Sequence, residues 1–178
     1  TSFPLLHRYD APVCGFLFRE KERSRTIRKD MAAAWQVPVA FMQHLKAGAD
    51  FVTPEGKVVP NRMLTVAPPP VRSYAYMTDT LFRERFAEYV RGVDLLYHEA
   101  TYGRELEAVA KENYHSTSEQ AARMAVLAGA GKLLLGHFSA RYSDPSCLLP
   151  EARAIFPETY VCTDGDVYDI PVQKRLGM

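Results

Sequence analysis

Three apolar segments of this chain end on a residue able to bind a metal. Met77-Thr78-Asp79, Leu96-Tyr97-His98 and Leu135-Gly136-His137 each read as a strand followed at once by a carboxylate or an imidazole. In α/β sheets, ligands and reacting groups gather beyond the carboxyl ends of strands, where a rigid strand aims the last side chain and the loop leaves room for a substrate. Imidazole and carboxylate together suit zinc, and manganese also. Each residue has a plainer reading by itself. Asp79 precedes a predicted helix and could be its N-cap. A single histidine after a strand is commonly a hydrogen-bonded structural residue. Glu99, next to His98, is of the right type to orient an imidazole, or it sits in a solvated loop.

The elements that must position these residues are legible in outline. Residues 11–18 read as a strand, and residues 19–30 then carry six basic and three acidic side chains. Helical segments are expected at 31–36 and 41–46, and a hairpin over 51–60 with its turn at Pro54–Gly56. Pro68-Pro69-Pro70 is a stiff connector. From there the pattern is α/β. Strands are expected at 74–77, 93–97 and 132–135, with a helix at 81–91 and a helical stretch at 104–113. Ser116 or Thr117 caps the next helix, with Glu119 or Gln120 completing a capping box, and Gly129–Gly131 ends it. A last helix at 148–155 precedes two short strands, 159–163 and 167–170, joined by Asp164-Gly165. No internal repeat and no domain boundary stands out, so residues 1–178 read as one domain.

Bulk properties narrow the class. The chain has 178 residues, 47% of them hydrophobic and 24% charged, with a net charge of +1. That is an ordinary globular composition, and a surface gripping nucleic acid throughout would be more basic. No run of about 18 apolar residues is present, so no membrane span is expected. The first residues lack a charged stretch followed by an apolar one, so no signal peptide is expected there. Cys14, Cys147 and Cys162 are scattered, with no Cys-x-x-Cys pair, and read as buried small apolar side chains in a reducing cytoplasm.

Read together, the segments become specific. Leu96-Tyr97-His98-Glu99-Ala100-Thr101, His115-Ser116-Thr117 and Gly136-His137-Phe138-Ser139-Ala140-Arg141-Tyr142 follow in that order. They resemble the His-Glu-Ala-Thr loop, the His-Ser-Thr loop and the final His-Phe-Ser-x-Arg-Tyr motif of the ribonuclease Z family. Asp79-Thr80, Leu45-Lys46-Ala47-Gly48, Pro54-Glu55-Gly56 and Pro4-Leu5-Leu6-His7 with Gly15-Phe16-Leu17-Phe18 extend the resemblance, as do Phe156-Pro157 and Asp164-Gly165. It covers nearly the whole chain and is weakest between Arg19 and Ala40. The sequence departs from the family at Val37–His44, where a Gly-Pro-rich stretch is usual, at Thr78, where Gly is common, and at Gly136, where Thr is common.

The resemblance implies an α/β fold, the C-terminal half of an αββα metallo-β-lactamase sandwich. The family's His-x-His-x-Asp-His motif is missing, since none of the five histidines lies two residues from another. By resemblance, His7, Asp79 and His137 are metal ligands completing a site for two zinc ions, or manganese, with an N-terminal half of the same fold. His115 and Glu99 are the implied catalytic pair, His115 giving a proton to the leaving oxygen and Glu99 orienting it. Thr101, Ser116, Thr117, Ser139 and Arg141 are the candidates for substrate contact. Arg141 could instead pair with Asp144, and Ser116 and Thr117 could be helix caps. His98 is expected to be structural or to support the metal ligands from behind, and His44 to be an exposed helix position. Residues 19–47 stand where the family carries a protruding arm for tRNA; a solvated mixed-charge helix is the competing reading. The implied protein is a cytoplasmic, homodimeric endoribonuclease that removes the 3′ trailer of precursor tRNA, with this half inactive alone. The alternatives are a metallo-hydrolase of small phosphodiesters and a non-catalytic fragment.

Overall fold

The computed structural model describes residues 1–8 and 12–172; Ala11, in the first predicted strand after the amino terminus, lies outside them. The described residues fall into two compact units: Thr1–Glu20 with Arg72–Pro171, and Lys21–Val71 with Val172. Among them no helix is long and apolar enough to cross a membrane.

The first unit is built on a six-stranded mixed sheet whose strands lie side by side in chain order: β1 (Ser2–Pro4), β2 (Cys14–Arg19), β3 (Ser73–Met77), β4 (Leu95–Glu99), β5 (Lys132–Gly136) and β6 (Thr159–Val161). β1, β2 and β3 pair antiparallel, and β3 through β6 are parallel. The α/β class expected from the sequence is therefore what the chain adopts. Parallel neighbours require crossovers, and these supply the helices. The longest, Ser118–Ala128, starts on a capping box formed by Thr117 and Gln120 and ends on Gly129, whose φ of 63° is the left-handed turn that glycine takes without steric cost. Its Ala121, Ala122, Met124, Ala125 and Ala128 are buried at helical spacing. They pack with Leu17, Ala75, Met77, Leu96, Leu133 and Leu135 of the sheet into one core.

That core covers one face of the sheet. The other face carries Phe16, Phe18, Tyr74, Tyr76 and Tyr97. The Tyr76 and Tyr97 rings stack at 4.6 Å, and Phe18 stacks on Tyr74 at 5.9 Å. Phe16 is 41% and Phe18 57% exposed.

Three expectations needed correction. Residues 81–91 give no α-helix but a 3-10 segment, Glu84–Val90, which still buries Phe86, Ala87 and Val90. Residues 167–170 are not a strand. Asp166 accepts from the Thr163 backbone and hydroxyl, and Tyr168 donates to the Val161 carbonyl, so the turn folds back before it can pair. Cys14 and Cys147 are exposed and only Cys162 is partly buried, so the cysteines do not serve as core residues.

The second unit has its own small core of Ala32, Val37, Leu45, Phe51, Val59 and Leu64. Short helices Lys29–Ala34, Met42–Lys46 and Asn61–Leu64 surround it, with strand pairs Thr26–Ile27/Thr65–Val66 and Phe51–Val52/Val58–Val59. The hairpin predicted over 51–60 is the latter pair. Buried Asn61 ties the unit together by donating to the Leu45 and Ala49 carbonyls.

Exposed aromatic faces of this kind drive association. These 178 residues produced alone should self-associate, and Phe16→Lys with Phe18→Lys should reduce the mass seen by light scattering. A monomer for the unsubstituted chain at all concentrations would remove this reading of the open face.

Candidate active site

Register decides what meets at the sheet edge. Met77 lies opposite His98, and Glu99 opposite Gly136, so β3, β4 and β5 end level with one another. Asp79 and His137 follow two of these ends, and Glu99 closes the third. His137 Nε2 lies 3.1 Å from Asp79 Oδ1. Across the loop before the long helix comes His115, whose ring stacks on that of His137 at 5.3 Å. Ligating atoms of Asp79, His115 and His137 all lie within 4.8 Å of one another. The His7 ring lies 5.2 Å from that of His115. The residues named as ligands and proton donor are thus gathered at one end of the sheet.

Glu99 holds the arrangement together. Its side chain has no exposed surface. Oε1 accepts from the Thr80 backbone at 2.9 Å, the Ser116 backbone at 3.1 Å and His115 Nδ1 at 3.0 Å. Oε2 accepts from the Thr101 backbone at 3.1 Å and the Thr101 hydroxyl at 2.6 Å. Burial pushes its pKa up, but these donors outweigh it and the carboxyl titrates below its ordinary range. Burial likewise pushes His115 down, and the bond to Glu99 and its charge outweigh that, so His115 holds its proton above the usual histidine value. At Asp79 burial is opposed by His137, the Thr78 hydroxyl and its own backbone, and the net shift is downward.

The partners of the three imidazoles fix where their protons sit. His7 Nδ1 meets the Tyr114 carbonyl at 3.1 Å, and His115 Nδ1 meets a carboxylate; neither oxygen can donate, so both nitrogens do. His137 Nδ1 meets the Thr101 hydroxyl at 2.9 Å. In His7 and His115 Nε2 is left as the position that can ligate, and in His137 it faces Asp79. His137 and Tyr114 both lie in the left-handed region, with φ of 57° and 61°. For non-glycine residues this is uncommon and occurs where surrounding contacts enforce it.

Several residues fall otherwise than by type. Thr101, Ser116 and Thr117 are buried, and their hydroxyls face inward. Thr101 is shared between Glu99 and His137, Ser116 donates to the Thr80 carbonyl, and Thr117 is the helix cap. Ser139 and Arg141 lie on the open loop after His137, with the Arg141 guanidinium 5.7 Å over the Tyr102 ring. Asp144 does not meet Arg141; it caps the next turn by accepting from Ser146. His98 is fully buried and donates from Nδ1 to the Glu99 carbonyl at 2.6 Å, a structural role as expected. His44 is exposed in the second unit. Gly136 is small because the Tyr97 ring occupies the space a side chain would need. Reasoning from sequence missed Thr80 and Tyr114; no local signal marks a tyrosine for a positive φ.

No family model matches the chain. By sequence it is similar to the protein named ribonuclease Z of Bacteroides thetaiotaomicron, 49% identical over 165 residues, covering 93% of this chain and 52% of that one. The protein of the same name from Bacteroides fragilis is 51% identical over 93% of this chain and 54% of its own. The chain spans about half the length of the curated relatives it matches. Among solved structures, human short-form tRNase Z gives a TM-score of 0.53 at 24% identity, over 96% of this chain and 42% of that one. That likeness speaks to the fold.

The paired shifts predict a stability window for the metal-free protein. Glu99 has a lowered pKa, so its contribution is full above the ordinary value of 4.5 and is lost as pH falls through the depressed one. His115 has a raised pKa, so its contribution is full below 6.5 and is lost as pH rises through the raised one. Urea unfolding across pH should show maximal stability between those values. Glu99→Gln should cost about 3 kcal/mol there and flatten both limbs. Limbs unchanged in Glu99→Gln would assign the pH dependence to other groups.

Proposed function

We propose that this chain, which is similar to proteins named ribonuclease Z, is the C-terminal half of a zinc-dependent endoribonuclease that removes the 3′ trailer from precursor tRNA. An N-terminal half would supply the remaining ligands. The observation that carries this reading is the shared orientation of three imidazoles. His7, His115 and His137 each spend Nδ1 on an internal partner and keep Nε2 for chemistry. His137 Nε2 and Asp79 Oδ1 stand 3.1 Å apart, close enough for one cation to be held by both in place of a proton.

Nitrogen and carboxylate donors of this kind fit zinc, and manganese also. His7, Asp79 and His137 would hold it. A bound divalent metal supplies an acidified water and charge compensation at a phosphodiester. His115, whose hold on its proton is strengthened by Glu99, would hand its Nε2 proton to the departing 3′-oxygen, while Glu99 fixes the ring and offsets its charge. Ser139 and Arg141 are the residues we assign to the phosphodiester. Residues 19–47, with their run of basic side chains, are the candidate arm for more distant tRNA phosphates.

The test uses the full-length protein with precursor tRNA. His115→Ala should lower turnover by about 10²–10⁴-fold with metal content unchanged. Full activity would remove His115 from the mechanism, and loss of metal would make it a ligand. Stripping the metal with a chelator should abolish cleavage, and zinc should restore it. Cleavage of a chromogenic phosphodiester with none of precursor tRNA would overturn the tRNA assignment.

A further inference from the structure

Thr101 has one hydroxyl proton and two neighbours that could take it. Glu99 Oε2 lies at 2.6 Å and His137 Nδ1 at 2.9 Å. The carboxylate cannot donate, so if the hydroxyl proton pointed at His137, two oxygens would face each other at 2.6 Å with no proton between them. The proton therefore goes to Glu99, and the hydroxyl oxygen accepts from His137 Nδ1, against the competing pull of Asp79 Oδ1 at 3.1 Å from Nε2. The loop geometry holds the group in this relay. Ala100 donates to the Gly136 carbonyl at 2.8 Å and Ser139 to the Thr101 carbonyl at 3.0 Å, so both sides of Thr101 are clasped to the loop that carries His137. The residue is only 6% exposed, which leaves solvent little access to the hydroxyl.

We propose that Thr101 is a positioning residue for His137: its hydroxyl, anchored by Glu99, holds the proton of His137 on Nδ1 and so keeps the Nε2 lone pair available for a metal. One buried carboxylate then sets two rings, His115 directly and His137 through Thr101. Acceptors that fix an imidazole's outer nitrogen commonly change metal affinity by about 10–100-fold. This role differs from substrate contact, and it rests on the metal-site reading given above.

The experiment has two arms in the full-length protein. In the metal-stripped wild type, at a pH where His137 is neutral, long-range nitrogen–proton NMR should report its proton on Nδ1. Thr101→Val should shift the ring toward the Nε2-protonated form, and Thr101→Ser should restore it. A wild-type proton on Nε2, or an unchanged ring in Thr101→Val, would overturn the proposal. In the second arm, competition with a chelator should show zinc affinity about 10–100-fold weaker in Thr101→Val and near wild type in Thr101→Ser. Excess zinc should return turnover of Thr101→Val with KM unchanged. A raised KM that excess zinc does not correct would make Thr101 a substrate contact instead. A wild type that binds no divalent metal would sink the functional reading, while the NMR arm still decides the tautomer.

Discussion

A carboxylate without exposed surface is tolerable only when its lone pairs are used, because burying an unpaired charge costs several kcal/mol. Glu99 meets that condition with five donors on four residues, Thr80, Thr101, His115 and Ser116, drawn from three stretches of chain. The requirement runs both ways. The donors satisfy the charge, and the charge holds the ends of β3 and β4 and the start of the long helix to one point. Two of the three imidazoles at the site are oriented by that point, one directly and one through a hydroxyl.

The sheet makes such convergence available. Parallel strands in level register deliver side chains at matching heights, because each crossover carries the chain back so that the next strand runs the same way and ends at the same end of the sheet. Alanines on the covering helix let it approach the sheet closely, and the capping box fixes where that helix begins, one residue after the loop that carries His115 and Ser116. The positions of polar groups at the edge thus follow from packing on the covered face.

Much of this was readable beforehand. Periodicity marked the strands before Asp79 and His137, and the Thr117–Gln120 spacing marked the helix start. Residue type marked Glu99 as able to orient an imidazole, and only the resemblance to the His-Ser-Thr loop marked His115. What was not readable depended on long-range partners. A hydroxyl at Thr101 looks free until its burial between Glu99 and His137 is known. An Asp164-Gly165 turn looks like a hairpin until Asp166 caps it. Apolar residues at 81–91 show helical spacing, yet the segment tightens to a 3-10 form that still buries Phe86 and Val90.

The left-handed backbone at His137 and Tyr114 sets stability against activity at two positions. Glycine would occupy either site free of a strain of about 1 kcal/mol each. At His137 that gain would remove the imidazole; at Tyr114 it would loosen the peptide whose carbonyl receives His7. A chain selected for robustness alone would drift toward glycine at both. Retaining bulky residues there marks the carboxyl end of the strands as one place where this molecule gives up some resistance to unfolding for geometry it could not otherwise keep.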